Sequence, residues 1–235
     1  PKVGCVLLDR HGAIVGEGVT QPPGEAHAEI EALRRADGRA RGGEMFVTLE
    51  PCCHHGRTMP CTDAIIASGV RKVYVGALDP NPLVSGGGVA ELRSAGIEVE
   101  VGVAALDAER AIAPFKKFIE TGTPWVLLKA ATTLDGRIGT SSGHSKWITG
   151  AEARADTHRL RAAADAVLVG SGTARADNPR LDVRDAEGAD PRPVILDAAL
   201  KLPADLAAFR PGSLVCHGPD AADADRERVR ATGAE

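Results

Sequence analysis

The chain has few aromatic residues, no excess of positive charge and no long apolar run. Phe, Trp and Tyr make up only 3% of the residues, which leaves little material for stacking single-stranded nucleic acid. The formal net charge of −4 gives no electrostatic attraction for nucleic acid or an anionic membrane. No apolar run reaches the roughly 18–20 residues that cross a bilayer. The sequence therefore predicts a small-molecule partner, and any phosphate on it would need a local cluster of Arg or Lys.

The cysteines are also few and unevenly placed. There are five, an odd number, and three of them lie within residues 52–61 beside histidines. This arrangement is typical of metal ligation in a reducing compartment rather than of a disulfide framework. We therefore expect a cytoplasmic protein, although the chain starts at Pro1 without Met, as a fragment would.

Strand-like and helix-like segments alternate along the chain, which predicts an α/β protein whose sheet is at least partly parallel. The sequence Thr-Gly-Thr-Pro at residues 121–124 is a candidate boundary between domains over 1–121 and 122–235. In the first domain we expect strands over 3–9, 13–16, 45–49, 71–78 and 97–103, and helices over 27–36, 62–68, 89–94 and 106–120. In the second we expect strands over 125–131, 166–170, 194–197 and 213–217, and helices over 151–164 and 223–232.

A histidine and two cysteines form a candidate zinc site. His27 is followed two residues later by Glu29, and Cys52 and Cys61 come further along the chain. This resembles the zinc signature of the nucleobase and nucleoside deaminases, in which a glutamate moves protons without binding the metal. The metal activates water, and we expect Glu29 to pass its proton to the leaving amine. In that signature the second cysteine comes three residues after the first, whereas here eight residues separate Cys52 from Cys61.

Three other interpretations compete with a small-molecule deaminase. An isolated His-x-Glu is mostly an exposed helix start. A structural zinc site would be closed by a fourth protein ligand such as Cys53 or His55, whereas an enzyme keeps that position for water. Because adjacent residues rarely point to one metal, we expect Cys53 to be a bystander. A deaminase of bases in nucleic acid would need a basic, aromatic surface, and it would leave the residues after Thr123 unexplained.

The insert between the two cysteines identifies a family. Residues 54–60 bring a cation, two imidazoles and a glycine beside the metal, which suits a substrate larger and more anionic than a nucleobase. The string over residues 48–61, together with Pro-Lys-Val-Gly at 1–4, Gly-Glu-Ala-His-Ala-Glu at 24–29 and Asp-Pro-Asn-Pro at 79–82, closely resembles the bifunctional riboflavin-biosynthesis deaminase/reductase family. The resemblance implies a cytidine-deaminase-like three-layer α/β/α domain followed by a dihydrofolate-reductase-like α/β domain.

For the first domain, the resemblance implies hydrolytic deamination of 2,5-diamino-6-(5-phosphoribosylamino)pyrimidin-4(3H)-one. By position, His27, Cys52 and Cys61 would bind Zn²⁺ and Glu29 would be the proton shuttle. His54 and Arg57 would contact the substrate. The family usually has serine where this chain has Cys53.

The second half gives weaker indications from its residues alone. A glycine-containing loop follows residue 129, and Trp147 stands beside a hydroxyl and a cation at residues 145–149. A run of arginines is suited to phosphate binding, although a solvated basic face explains it equally well. No Gly-x-Gly-x-x-Gly follows a strand, so a Rossmann-type site is not indicated. The arginines are Arg159, Arg161, Arg175, Arg180 and Arg184.

The same resemblance extends to this half, on the strings at residues 134–136, 145–149 and 170–179. It implies reduction of the ribosyl group of 5-amino-6-(5-phosphoribosylamino)uracil to ribityl by NADPH, in a homo-oligomer. A Glu-Gly-Gly segment of the family lies beyond Glu235, so we expect this half to be incomplete. An alternative interpretation is a reductase half that supports only assembly. By position, the cofactor-binding residues would be Ala131, Trp147, Thr173 and Asp177, and the substrate-binding residues would be Ser145, Arg161, Leu181 and Arg184. Lys129 is a weaker candidate for contact with the substrate. Ala198 stands where relatives often have a serine that contacts the cofactor.

Overall fold

The protein forms two compact units, Pro1–Leu128 and Lys129–Glu235. The computed structural model describes residues 1–56 and 59–235, so Arg57 lies outside the described residues. Within this described part, no helix is long and apolar enough to cross a membrane.

The first unit is built on a five-stranded mixed sheet. Its strands are β1 (Gly4–Leu8), β2 (Ile14–Val19), β3 (Glu44–Leu49), β4 (Lys72–Ala77) and β5 (Glu98–Val101), in the order β2-β1-β3-β4-β5. β1 is antiparallel to both of its neighbours, whereas β3, β4 and β5 are parallel. The predicted partly parallel sheet is therefore confirmed.

Helices cover both faces of this sheet. They are α1 (Ala28–Ala36), α2 (Cys61–Ser68), α3 (Gly87–Ser94) and α4 (Ala105–Thr121). A Cβ at Gly18 would lie 2.0 Å from the Ala28 carbonyl oxygen, so glycine lets α1 pack directly on β2. In the sheet register, Gly18 is aligned with Val75 of β4 through the intervening strands β1 and β3. Gly76, the next residue of β4, contacts Ala108 of α4. Because side chains alternate along a strand, Gly76 faces the opposite side of the sheet from Gly18, so α4 and α1 cover different faces. The unit thus has three layers, α/β/α.

The second unit contains a smaller, fully parallel sheet. Its elements are α5 (Ala151–Ala163), β6 (Ala166–Gly170), α6 (Ser171–Asp177), β7 (Arg192–Leu196), β8 (Leu214–Cys216) and α7 (Asp223–Arg230), and the strand order is β6-β7-β8. Ile195 and Val215 lie in its buried core with Leu200, Leu202 and Phe209.

Two predictions for this unit differ from the structure. The strand predicted over 125–131 is wrong, since residues 123–150, all of them described, contain no helix or strand. Trp125 and Leu128 are exposed in this stretch, and an extended segment without a paired neighbour gains too little to form a strand. The helix α6 was not predicted, because its seven residues include Gly172 and are too few to establish a helical period.

Candidate active sites

The zinc-site residues of the first unit all lie at the ends of secondary-structure elements. His27 immediately precedes α1, Cys52 follows β3 closely, and Cys61 is the first residue of α2. The Nδ1 atom of His27 lies 3.2 Å from Cys61 Sγ and 3.5 Å from Cys52 Sγ. All three donor atoms lie within 4.8 Å of one another.

This donor set fits zinc in type and spacing. Zinc takes imidazole nitrogen and thiolate sulfur at about 2.0 and 2.3 Å in a tetrahedron, which separates neighbouring N and S ligands by about 3.5 Å. The two His27–sulfur distances agree with that separation. Among the described residues, the candidate group holds three side chains and includes neither Cys53 nor His55. Three protein ligands leave room for a fourth, as in catalytic zinc sites.

The pKa values of the two cysteine thiols are shifted in opposite directions. A hydrogen bond from the Cys61 side chain, followed by one from His27, lowers the pKa of Cys52 to about 4. The Cys61 backbone N–H also donates to Cys52 Sγ at 3.3 Å. The hydrogen bond to Cys52 and burial raise the pKa of the Cys61 thiol, and the bond to Cys52 raises the pKa of His27. These hydrogen bonds favour the thiolate form of Cys52, which is the form that binds metals.

Glu29 is a buried carboxyl group beside these donors. It lies in the first turn of α1 and is only 4% exposed. Burial raises its pKa, and a hydrogen bond with the Cys61 side chain opposes that effect in part. A raised pKa makes a carboxyl group a better proton acceptor, which suits a group that must take up and release a proton in general acid–base catalysis.

A second buried carboxylate, Glu50, holds the segment that carries Cys52. It accepts backbone N–H bonds from Asp79 at 3.1 Å, Gly86 at 2.9 Å and Val89 at 3.1 Å. A Cβ on Gly88 would lie 2.0 Å from the Pro51 carbonyl oxygen, so α3 packs directly against this segment. The sequence analysis missed Glu50; its position between a strand and a proline was the available signal.

The insert contributes one described candidate for substrate binding. His54 is half-buried, and its Nδ1 atom is buried without a hydrogen-bond partner in the described part of the chain, which leaves it available to a ligand. Cys53 lies against α3, where a Cβ on Gly87 would come within 2.9 Å of its Sγ. Burial raises the pKa of the Cys53 thiol.

In the second unit, Ser145 and Trp147 line an open cavity of about 520 Å³. The Trp147 ring is 73% exposed, and the Arg154 guanidinium lies 4.5 Å from its centroid. The Asp177 carboxylate lies 3.7 Å from Lys146 Nζ, so it belongs to the same neighbourhood.

Two candidates, Arg161 and Arg184, meet at Asp182 in a second cluster of this unit. Arg161 donates to the Asp182 carbonyl oxygen at 3.2 Å, and the Arg184 guanidinium pairs with the Asp182 carboxylate. Leu181, which precedes Asp182 in the chain, is buried and has a positive φ of 54°. Asp182 and the buried His158 that contacts Arg184 were missed by the sequence analysis.

The remaining candidates of this unit have fewer contacts. Ala131 is half-buried in the stretch without regular structure, and Lys129 is exposed there. Thr173 is exposed on α6. Ala198 is exposed, and its carbonyl oxygen accepts the Gly218 backbone N–H at 2.8 Å.

Two family models match the chain, one in each unit. The cytidine and deoxycytidylate deaminase zinc-binding region matches residues 1–77, which include all the zinc-site donors. The RibD C-terminal domain matches residues 124–231.

Similar proteins cover most of the chain. The riboflavin biosynthesis protein RibD of Aquifex aeolicus (strain VF5) is 49% identical over 204 residues, 86% of this chain and 57% of that protein. RibD of Escherichia coli (strain K12) is 49% identical over 187 residues, 80% of this chain and 51% of that protein. The chain thus spans about half the length of the curated relatives it matches.

A solved structure has the same fold. The crystal structure of a diaminohydroxyphosphoribosylaminopyrimidine deaminase/5-amino-6-(5-phosphoribosylamino)uracil reductase from Thermotoga maritima superposes with a TM-score of 0.84 at 41% identity, over 93% of this chain and 64% of that one. The fold class is therefore a cytidine-deaminase-like domain followed by a dihydrofolate-reductase-like domain of the RibD C-terminal type, as predicted. The chain belongs to the RibD family of riboflavin biosynthesis proteins.

Proposed function

We propose that the first unit catalyses the zinc-dependent hydrolytic deamination of 2,5-diamino-6-(5-phosphoribosylamino)pyrimidin-4(3H)-one, a step of riboflavin biosynthesis. The observation that carries this proposal is the three-donor group of His27, Cys52 and Cys61 with the buried Glu29 beside it. A purely structural zinc would call for a fourth protein donor, and the described residues supply three.

Each residue of this site has a distinct task in the proposed reaction. His27, Cys52 and Cys61 hold Zn²⁺, which supplies the Lewis acidity that activates water near neutral pH. Glu29 accepts a proton on the attacking side and delivers it to the departing amine, which leaves as ammonia. His54 contacts the substrate, which is supported by a side-chain Nδ1 atom that has no hydrogen-bond partner among the described residues. Arg57 is assigned to the substrate by its position in the family motif alone.

We propose that the second unit reduces the ribosyl group of 5-amino-6-(5-phosphoribosylamino)uracil to ribityl. NADPH supplies the hydride, and the protein orients cofactor and substrate. The cofactor is held by Ala131, Trp147, Thr173 and Asp177, and the substrate by Ser145, Arg161, Leu181 and Arg184. The open cavity beside Trp147 and the arginine cluster around Asp182 support this assignment.

Location and assembly complete the proposal. All five cysteines are free, as in a protein of the reducing cytoplasm. We propose a homo-oligomer, which light scattering on the purified chain would test directly.

One assay tests both proposed reactions. The diaminopyrimidinone phosphate is supplied with Zn²⁺ and NADPH, and ammonia release and NADPH loss are followed together. We expect ammonia release that stops on chelation, and any reductase activity to appear as NADPH loss that follows it in time. Ammonia release without NADPH loss would refute the reductase proposal for this chain alone. Absence of ammonia release from the zinc-loaded protein would refute the deaminase proposal.

A further inference from the structure

A buried carboxylate lies beneath a group of arginines in the second unit. Asp182 is 4% exposed, yet both of its carboxylate oxygens are paired. Oδ2 lies 2.8 Å from Arg180 Nε, and Oδ1 is bonded to Arg184 Nη1. The Asp182 carbonyl oxygen accepts a third arginine, Arg161, at 3.2 Å. One residue therefore organises three guanidinium groups.

The helix α5 fixes the segment that carries Asp182. His158 is 5% exposed, and its Nδ1 atom accepts the Arg184 backbone N–H at 3.1 Å. Arg161 comes three residues later on the same face of the helix and reaches the carbonyl of Asp182. The Nε2 atom of His158 lies 3.5 Å from the Asp185 carboxylate. Both ends of the segment 182–184 are thus held by side chains of α5.

The exposed edges of these arginines are available to an anion. The side chains of Arg180 and Arg184 are 66% and 45% exposed although each bonds to a buried oxygen. Burial, followed by the nearby charge of Arg184, lowers the pKa of Arg161, and Asp182 offsets this only in part. The positive charges are therefore crowded, and a bound anion would relieve their repulsion.

We propose that Asp182 and His158 are positioning residues for a phosphate group bound by Arg180, Arg184 and Arg161. Asp182 occupies one edge of each guanidinium and turns the other outward, while His158 fixes the backbone of Arg184. The proposal rests on the reductase function proposed above, to which it adds Arg180 as a phosphate-binding residue and two residues that act through the arginines. The opposite role, in which Asp182 merely competes with phosphate for the arginines, predicts an effect of opposite sign.

Affinity measurements on Asp182→Asn separate these two roles. The probes are 5-amino-6-(5-phosphoribosylamino)uracil and its dephosphorylated form, titrated calorimetrically into the full chain. We expect the phosphorylated probe to bind about tenfold more weakly to the variant, the equivalent of one charged hydrogen bond, although the variant is one unit more positive. Affinity for the dephosphorylated probe and ammonia release by the first unit should not change.

Each other outcome of this titration has a definite meaning. Unchanged or tighter binding of the phosphorylated probe would overturn the positioning role. An equal loss for both probes, with a lower melting temperature, would show a purely structural role and overturn it too. If the unmodified chain binds neither probe, the reductase proposal fails, and the positioning role is then decided by the following measurement, which needs no ligand.

The orientation of Arg184 can be tested through its reactivity. Phenylglyoxal labels free guanidinium groups, and peptide mass spectrometry locates each labelled arginine. We expect Asp182→Asn to increase the labelling rate of Arg184 about fivefold, as the loss of one hydrogen bond predicts. His158→Leu should do so as well, while His158→Gln, which keeps an acceptor for the Arg184 N–H, should largely restore the original rate. Arg110 of the first unit is the internal reference, and unchanged labelling of Arg184 in all variants would overturn the proposal.

Discussion

The two units differ in how far their candidate sites are built into helices and strands. In the first, His27 and Cys61 stand at helix starts and Cys52 just beyond a strand, so the sheet and its helices fix the donors within 4.8 Å. In the second, Ala131 and Trp147 lie in a stretch without helix or strand. A site held by rigid elements is preformed, whereas one on loops depends on what binds there.

Replacement of Glu29, the proposed proton shuttle of the first unit, should have the largest effect. Glu29→Gln keeps the shape of the buried side chain but removes its exchangeable proton, so ammonia release should fall about a thousandfold while zinc content is retained. Ammonia assay and metal analysis measure the two quantities separately. Glu31→Gln is the matched control, since Glu31 lies on the same helix and pairs with the exposed Arg34. Unchanged turnover in Glu29→Gln would contradict the proposed role of Glu29 in proton transfer and, with it, the contrast between the two units.

Removal of the metal should affect one unit and spare the other. A ligand that binds only the folded state at a thousand times its Kd stabilises that state by about 4 kcal/mol. Calorimetry with and without a chelator should therefore show one transition that moves down and one that stays. Cys52→Ser should reproduce the zinc-free behaviour without chelator. Equal shifts of all transitions would mean that the two units do not unfold independently.

Two glycines in short helices should give opposite effects on stability. In α3, a Cβ at Gly88 would meet the Pro51 carbonyl oxygen at 2.0 Å, and Gly88→Ala must displace backbone next to Cys52, at a cost of about 2 kcal/mol. In α6, a Cβ at Gly172 meets nothing within 4 Å, and Gly172→Ala should stabilise by up to about 1 kcal/mol through helix propensity. The melting temperature of each unit measures both changes in stability. The affinity for zinc should fall only in Gly88→Ala. A neutral Gly88→Ala would show that the zinc loop can shift freely.

The candidate zinc donors could be named from the sequence because each belongs to a short local motif at an element boundary. It missed Glu50, whose three N–H partners lie 29, 36 and 39 residues away. It also missed His158, which lies 26 residues from its partner Arg184. Such contacts depend on tertiary packing. The wrong strand over 125–131 has the same origin, since a run of apolar residues forms a strand only where a neighbouring strand can pair.

Acidification should change the contribution of one carboxyl group in each unit, with opposite sign. In the zinc-free protein burial raises the pKa of Glu29, so the folded first unit binds its proton more tightly than the unfolded chain does. Its contribution to stability therefore rises as the pH falls through that raised pKa. In α7 the hydrogen bond from Lys201, followed by that from Arg228, lowers the pKa of Asp225 below its ordinary value. Its stabilising contribution is present above the unfolded pKa and is lost as the pH falls through the lower folded value.

The smallest expected effect follows from this second case. Asp225 pairs with Lys201 at 2.6 Å and with Arg228 at 3.3 Å, on the surface of the second unit. Because exposed pairs are screened by solvent, Asp225→Asn should lower the melting temperature of the second unit at neutral pH by no more than a few degrees. The difference from the unmodified chain should vanish once the pH falls below the lowered pKa of Asp225, where the unmodified carboxylate also loses its charge. Asp223→Asn is the matched control on the same helix, since Asp223 is highly exposed and pairs only with Arg226 among the described residues. A difference that persists in acid would mean that Asp225 acts through packing rather than through its charge.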